Sequence, residues 1–284
     1  MDIKSTIALL AQLSLVLTIA SVGLRARWSD VLSVARESSR VLRAVIAVNV
    51  IVPSVATVAM LILPVEPMVK VGVLAMAIAP LAPLVPDKML RVGASSSYTV
   101  GIYVALMLLA IAVVPISLAL LRFVFNGTAE ISVPDLASVV LFAGLAPLGL
   151  GLAIATLMSR YAAGLARVTS LLGGLALIPL VAIVLIYAGA DIIALTGDGV
   201  VLAIILIVIS GLAAGHWLGG PERNNRYALA IAAATRHPGI ASLIVDSNFE
   251  DRKPMLAVIL FLLISVLVSA IYERWTRSAG GTRA

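Results

Sequence analysis

The chain has 284 residues, of which 62% are hydrophobic and 12% charged, with a mean hydropathy of +1.14. Soluble domains carry roughly 25% charged residues, and no soluble fold of this length hides so much apolar surface, so a water-soluble protein is excluded. The formal net charge is +6 and there is no cysteine, which removes disulfides, thiolate metal sites and thiol catalysis; two histidines leave little for a metal cage. In a membrane protein a basic balance reads as arginine-rich cytoplasmic loops and not as nucleic-acid binding.

Nearly charge-free runs long enough to span a bilayer fall at residues 5–24, 44–63, 98–121, 136–159, 168–190, 199–218 and 254–272. Two further runs, 68–92 and 227–247, are interrupted, so the pattern predicts an all-α polytopic membrane protein with about nine transmembrane helices. The first run follows Met1-Asp2-Ile3-Lys4, which has no net positive charge, and is read as a retained span and not a signal peptide. Residues 28–43 mix Val31, Leu32, Val34, Val41 and Leu42 with polar residues, the pattern of a short amphipathic helix on the cytoplasmic surface.

Lys and Arg set the orientation. With the N-terminus outside, fourteen of the 20 fall on inner loops and membrane ends, among them Arg25, Arg27, Arg40, Arg43, Arg160, Arg167, Arg223 and Arg226. Five fall outside, where Glu66, Glu130, Asp135 and Asp251 collect as well. This bias predicts a multi-pass protein of the cell (inner) membrane with its N-terminus outside and its C-terminus in the cytoplasm.

The two interrupted runs carry the functional signal. In the first, Pro80, Pro83 and Pro86 remove backbone donors, and Asp87, Lys88 and Arg91 follow. In the second, Tyr227 to Ala234 is cut by Thr235, Arg236, His237, Pro238 and Gly239 before a new apolar run starts at Ile240. A cation, an imidazole and unwound backbone persist at membrane depth only where protein or a water-filled cavity surrounds them. Either side of the chain's middle, the order is helix, helix, broken helix, helix; one additional span, 136–159, separates the two sets and inverts them. Paired broken helices in inverted repeats point to a transporter's site. The division is a first repeat over 1–125 (four spans, 68–92 broken), an outer linker at 126–135, a second repeat over 136–273 (five spans, 227–247 broken) and a cytoplasmic tail at 274–284.

Arg236 has two readings. Its planar fork suits a substrate carboxylate or sulfonate, or it forms a structural salt bridge with Asp87 where the breaks cross. Asp87 either faces the cavity and binds a cation, a proton or Arg236, or caps a helix while Lys88 and Arg91 reach to the inner surface. His237 either carries a coupled proton or is held by a backbone carbonyl at the break. Thr235, Pro238 and Gly239 supply unwound backbone for ions. Ser95, with Ser96, Ser97 and Thr99, is a helix cap or a polar wall. Asn49, near Pro53 inside the second span, is interhelical glue or a cavity wall.

These residues resemble the bile acid:sodium symporter family, within the bile/arsenite/riboflavin transporter group, along nearly the whole chain. Val22-Gly23-Leu24 with Trp28-Ser29-Asp30 is similar to the family's Gly-Leu and following cytoplasmic helix, and Arg40-Val41-Leu42-Arg43 through Val52-Pro53 to its next span. Residues 80–93 fall on its first crossover helix and 227–245 on its second. The resemblance implies two inverted five-helix repeats split into panel and core domains; here the family's first helix has no counterpart, which leaves nine helices and an unpaired 136–159. It also marks a departure. Aligned on Gly239-Ile240-Ala241, the family's sodium-binding Glu falls on Ala232 and its Gln on Arg236, while its Ser-Asn pair falls near Pro86 and Asp87. Both principal sodium ligands are absent, and the Arg236 guanidinium stands where a cation would be bound.

The expectation is a secondary active transporter of a small organic anion, working by alternating access at the crossing of the broken helices, with the lipid bilayer and the anion as partners, no nucleic acid, no cofactor, and Na+ or H+ as coupling ion. A sodium-coupled symporter with rebuilt ion sites, a facilitator and a non-transporting sensor are the alternatives. No His-Glu-x-x-His or Gly-x-Ser-x-Gly motif supports an enzyme.

Overall fold

The structure, a computed structural model, describes residues 3–32, 38–125 and 132–280. Its elements are helices: α1 (Ile3–Gly23), α2 (Trp28–Leu32), α3 (Ser38–Ile62), α4 (Pro67–Ile78), α5 (Val85–Arg91), α6 (Ser96–Phe125), α7 (Val133–Leu157), α8 (Ser159–Ala194), α9 (Val200–Leu218), α10 (Arg223–Ala234), α11 (Pro238–Asp246) and α12 (Lys253–Gly280). Helices α3 and α7 each contain a stretch of wider π-helix, Ile46–Ile51 and Val139–Leu145.

Among the described residues, five helices are long and apolar enough to cross a membrane: α3, α6, α7, α9 and Lys253–Thr276 of α12. Their outward faces carry large apolar side chains such as Ile62, Phe123, Leu157 and Trp217, the surface that lipid covers. The chain is a polytopic helical membrane protein.

Two boundaries differ from the sequence reading among the described residues. The inner loop expected at 160–167 is helix. Only Met158, in a non-helical conformation, separates α7 from α8, whose 36 residues extend about 54 Å at 1.5 Å per residue. Arg160 and Arg167 therefore lie on a helix shaft, because the next helix starts directly after Met158. Of the amphipathic helix expected over 28–43, Trp28–Leu32 is helical as α2, and Arg40 and Arg43 belong to α3, while residues 33–37 lie outside the described residues. The expected tail at 274–284 begins as a continuation of α12 to Gly280. The expected linker at 126–135 lies largely outside the described residues, but Ser132 caps α7, accepting from the Asp135 amide at 3.4 Å.

Small residues set the packing, as in membranes, where apolar side chains gain nothing over lipid and close backbone approach decides. A Cβ built on Gly23 would meet the Leu148 carbonyl at 2.1 Å, and one on Gly151 the Ala20 carbonyl at 2.2 Å, so α1 and α7 approach at their backbones. Helix α1 also meets α8, where Ser14 donates to the Gly173 carbonyl at 2.8 Å and Leu24 packs with Ala162 and Ala166. These pairings make α1 and α8 antiparallel. On α9, Gly211, Gly215 and Gly219 fall one turn apart and face Ala233, Ala230 and Arg226 of α10, which runs the other way. The first broken helix and α12 run side by side in one direction: Glu66 pairs with Lys253 at 2.5 Å, Gly72 abuts Pro254 and Ala257, and Lys88 pairs with Glu273 at 3.2 Å.

One end of the bundle is basic and aromatic. Arg25, Arg40, Arg91 and Arg223 gather there, next to the mutually packed rings of His216, Tyr227, Tyr272 and Trp275. Trp28, Trp217 and Trp275 are each more than half exposed at this end, the placement of interfacial anchors.

Candidate functional site

Each broken helix ends, passes a few extended residues and restarts. Helix α4 stops at Ile78 because Pro80 has no amide and disfavours helical geometry at Ala79, which is extended at φ −61°, ψ 147°. Helix α10 stops at Ala234, with Thr235 extended at φ −112°, ψ 116°. The two extended pieces then cross. Leu81 and Arg236 form an antiparallel β-bridge, and the His237 amide donates to the Pro80 carbonyl at 2.8 Å. The His237 amide, left without a helical acceptor by the second break, is thus satisfied by a carbonyl of the first.

Two prolines do a different job from the one expected. Pro86 and Pro238 do not break helices; they stand in the first turns of α5 and α11, where a missing amide is harmless and the fixed φ suits a start. His237 caps α11, its Nδ1 accepting from the Ile240 amide at 3.3 Å, in place of the expected carbonyl contact. That role assigns the proton of the neutral ring to Nε2, which is buried with no hydrogen-bond partner, as is the Thr235 hydroxyl. Gly239 leaves room for the ring: a Cβ there would stand 3.1 Å from its Cε1.

Arg236 is the largest fully buried side chain, 1% exposed. Its Nη1 donates to the Ala79 carbonyl at 3.3 Å and its Nη2 to the Val48 carbonyl at 2.7 Å, while Nε is buried without a partner. Both acceptors have a local cause. Ala79 ends α4, where the last carbonyls lack intrahelical donors and the helix dipole is negative. Val48 lies in the π segment of α3, where the donor five residues on is Pro53, which has no N–H. A guanidinium among carbonyl oxygens and the C-terminal ends of α4 and α10 is the environment that half-helix transporters build for a cation.

The expected Asp87–Arg236 pair is not formed. Asp87 sits in the first turn of α5 at the basic end, where its carboxylate is shared by Arg25 at 3.3 Å and Arg91 at 2.6 Å; nor does it cap the helix, since Leu84 holds that position. The reason is distance along α5: Asp87 lies beyond the break by several residues, on the far side from Ala79. Lys88 turns to Glu273. Asp87→Asn is expected to lower stability by about 1–2 kcal/mol, because both arginines keep access to water. Thermal unfolding in detergent checks this, and retained transport would separate Asp87 from the crossing.

Ser95 caps α6, accepting from the Tyr98 amide at 3.2 Å, and neighbouring Ser96 donates to Asp30 of α2 at 2.9 Å, both away from Arg236. Asn49 lies half-buried in the π segment, one residue from Val48. The structure therefore brings together Pro80, Thr235, Arg236, His237, Pro238 and Gly239, with Asn49 alongside, and leaves Asp87, Lys88 and Ser95 at the basic end. Sequence reasoning missed Val48, Ala79 and Leu81, which act through their backbones; Pro53 was the one signal that a carbonyl on α3 would need an outside donor. Among the described residues no group of three or more His, Asp or Glu is placed to hold a metal.

Among known proteins, no curated protein matches the chain. A model of the Sodium Bile acid symporter family matches residues 12–196, from α1 through the first break to the end of α8 and its turn, and leaves the second break and Arg236 outside the matched stretch. More than half of the chain is covered, and this polytopic helical membrane protein belongs to the Sodium Bile acid symporter family, a family of transporters.

Proposed function

We propose that the protein is a secondary transporter of a small organic anion that works by alternating access at the crossing of its two broken helices and does not require sodium. The observation that carries this reading is the Arg236 guanidinium donating to Ala79 and Val48, a fixed cation in a cage of carbonyls. A free sodium ion gains nothing where a tethered charge already satisfies the oxygens.

Helix directions support the wider scheme of nine crossings in two inverted repeats. The breaks pair antiparallel, α9 and α10 are antiparallel, α1 and α8 are antiparallel, and the first broken helix runs parallel to α12. Each relation agrees with a chain that starts outside and ends in the cytoplasm. The grouping of α1 with α7 and α8, apart from the helices around the crossing, supports a panel and a core that move against each other. The basic end, with its exposed tryptophans, then faces the cytoplasm and draws anions toward the bundle.

Uptake of labelled carboxylates and sulfonates into proteoliposomes, with sodium and proton gradients varied independently, tests the proposal. Uptake is expected to persist in sodium-free buffer. Strictly sodium-driven uptake means that other ligands have rebuilt a sodium site; uptake of no organic anion under any gradient removes the substrate class.

A further inference from the structure

The first turns of α8 carry two charges on the helix's outer side. Arg160 and Arg167 are both exposed and lie on one stripe of the helix, with Gly164 between them. The opposite stripe is the one that packs: Ala162 and Ala166 meet Leu24, and the Gly173 carbonyl accepts from Ser14 of α1. The two arginines therefore face away from α1, toward the surroundings of the bundle.

Directly after the arginines this surface turns apolar. Val168, Leu171, Leu172 and Leu175 are each about half exposed or more, and a Cβ built on Gly164 or Gly174 would meet nothing within 4 Å. The inference rests on the nine-crossing scheme proposed above, in which residues 168–190 cross the bilayer and lipid chains cover these side chains. That run measures about 34 Å at 1.5 Å per residue, close to the roughly 30 Å of a hydrocarbon core, so Arg167 stands where hydrocarbon gives way to headgroups. Ser159 to Arg167 continue for about 13 Å, through the headgroup layer. Tyr161, 56% exposed, lies there beside Arg160, whose guanidinium is 6.0 Å from the ring centre; aromatic rings of this kind mark the membrane interface.

We propose that this face of α8 docks an anionic phospholipid, with its phosphate on Arg160 and Arg167 and its chains along the leucines below. Lipid already has to cover the leucines, so the headgroup of the same molecule falls at the level of the arginines. A guanidinium facing the membrane is costly unless it reaches an interfacial anion, and its planar fork binds phosphate oxygens in pairs. A zwitterionic headgroup brings an ammonium to the same surface, whereas an anionic one brings net negative charge to two cations. A lipid held here steadies in its leaflet the group of α1, α7 and α8, against which the crossing moves on the reading above.

The test is thermal unfolding of the full chain, purified in a neutral detergent, titrated separately with phosphatidylglycerol, with phosphatidylcholine and with inorganic phosphate. The proteins compared are wild type, Arg160→Gln, Arg167→Gln and, as a charge-matched control, Arg252→Gln, exposed at the other end of the bundle beside the Glu66–Lys253 pair. Phosphatidylglycerol is expected to raise the midpoint of wild type and of Arg252→Gln, with an apparent affinity about fivefold weaker for each α8 arginine removed. Phosphatidylcholine and inorganic phosphate, the one without net charge and the other without chains, are expected to act only at much higher concentration. Equal stabilisation by phosphatidylcholine, an unchanged affinity in both α8 variants, or an equal loss in Arg252→Gln overturns the site. Equal stabilisation by inorganic phosphate overturns the lipid as its occupant. Both α8 arginines are exposed, so one variant carries the comparison even where the other fails to fold. The readout is lipid binding and not uptake, so it is decided separately from the transport of an organic anion.

Discussion

Replacing Arg236 with Ala is expected to abolish transport and to make the remaining protein respond to added guanidinium. The side chain is buried, and its two terminal nitrogens serve the Ala79 and Val48 carbonyls. Removing it leaves two buried acceptors without donors, at about 1–3 kcal/mol each, so the loss is roughly 2–6 kcal/mol. The carbonyls would face an empty space the size of the lost side chain. Small cations have a reason to enter it, since the C-terminal ends of α4 and α10 keep their negative potential there. Millimolar guanidinium is therefore expected to restore part of both thermal stability and uptake, and uptake by Arg236→Ala should depend on added cation where wild type does not. Arg236→Lys keeps the charge but loses the fork that spans two carbonyls on different helices, and is expected to fall between. Wild-type uptake in Arg236→Ala, with no response to cation, would falsify the tethered-cation reading.

Gly215→Ala is the second substitution with a large expected effect. A Cβ at this position meets the Leu229 carbonyl at 2.3 Å and the Ala230 nitrogen and Cα at 2.5 Å. All three atoms are backbone, so no rotamer change relieves the contact, and α9 and α10 have to separate. Overpacking typically costs 1–3 kcal/mol, and this site belongs at or above the upper end, about 3 kcal/mol. The damage reaches function, because α10 carries Thr235 and Arg236 at its end and any shift moves them against Pro80 and Leu81. Gly189→Ala is the matched comparison: nothing lies within 4 Å of a Cβ there, and in mid-helix an added methyl stabilises by up to about 1 kcal/mol. Paired melting curves should move in opposite directions. Equal shifts would mean that the close approach of α9 and α10 yields without strain.

How the crossing works follows from a division of labour between side chains and backbone. Prolines at 80 and 53 delete donors, the chain ends or widens a helix at each, and the exposed carbonyls converge on one cation. Prolines at 86 and 238 restart the helices on the far side. His237 and the Leu81–Arg236 bridge then hold the two breaks together. A site of this kind is stiff where backbone pairs with backbone. It also keeps orphaned polar groups, the Thr235 hydroxyl, Arg236 Nε and His237 Nε2, which a second conformation or a ligand can satisfy.

The sequence by itself determined that this is a helical membrane protein, where its two helices break and which cation lies in the second break. Those properties are local: a run of apolar residues has no other stable solvent, and a proline interrupts a helix whatever surrounds it. The resemblance carried by residues 80–93 and 227–245 also led to the family. Only the tertiary structure decided what Arg236 touches. Its charge pointed to Asp87, yet its partners are the carbonyls of Ala79 and Val48, which every residue possesses and no sequence marks. The same holds for Asp87, drawn to Arg25 and Arg91 because α5 carries it away from the break toward the basic end, and for Arg160 and Arg167, kept on a helix because α8 starts directly after Met158. Side-chain chemistry is written residue by residue. Which backbone groups are left without partners is settled only when the helices meet.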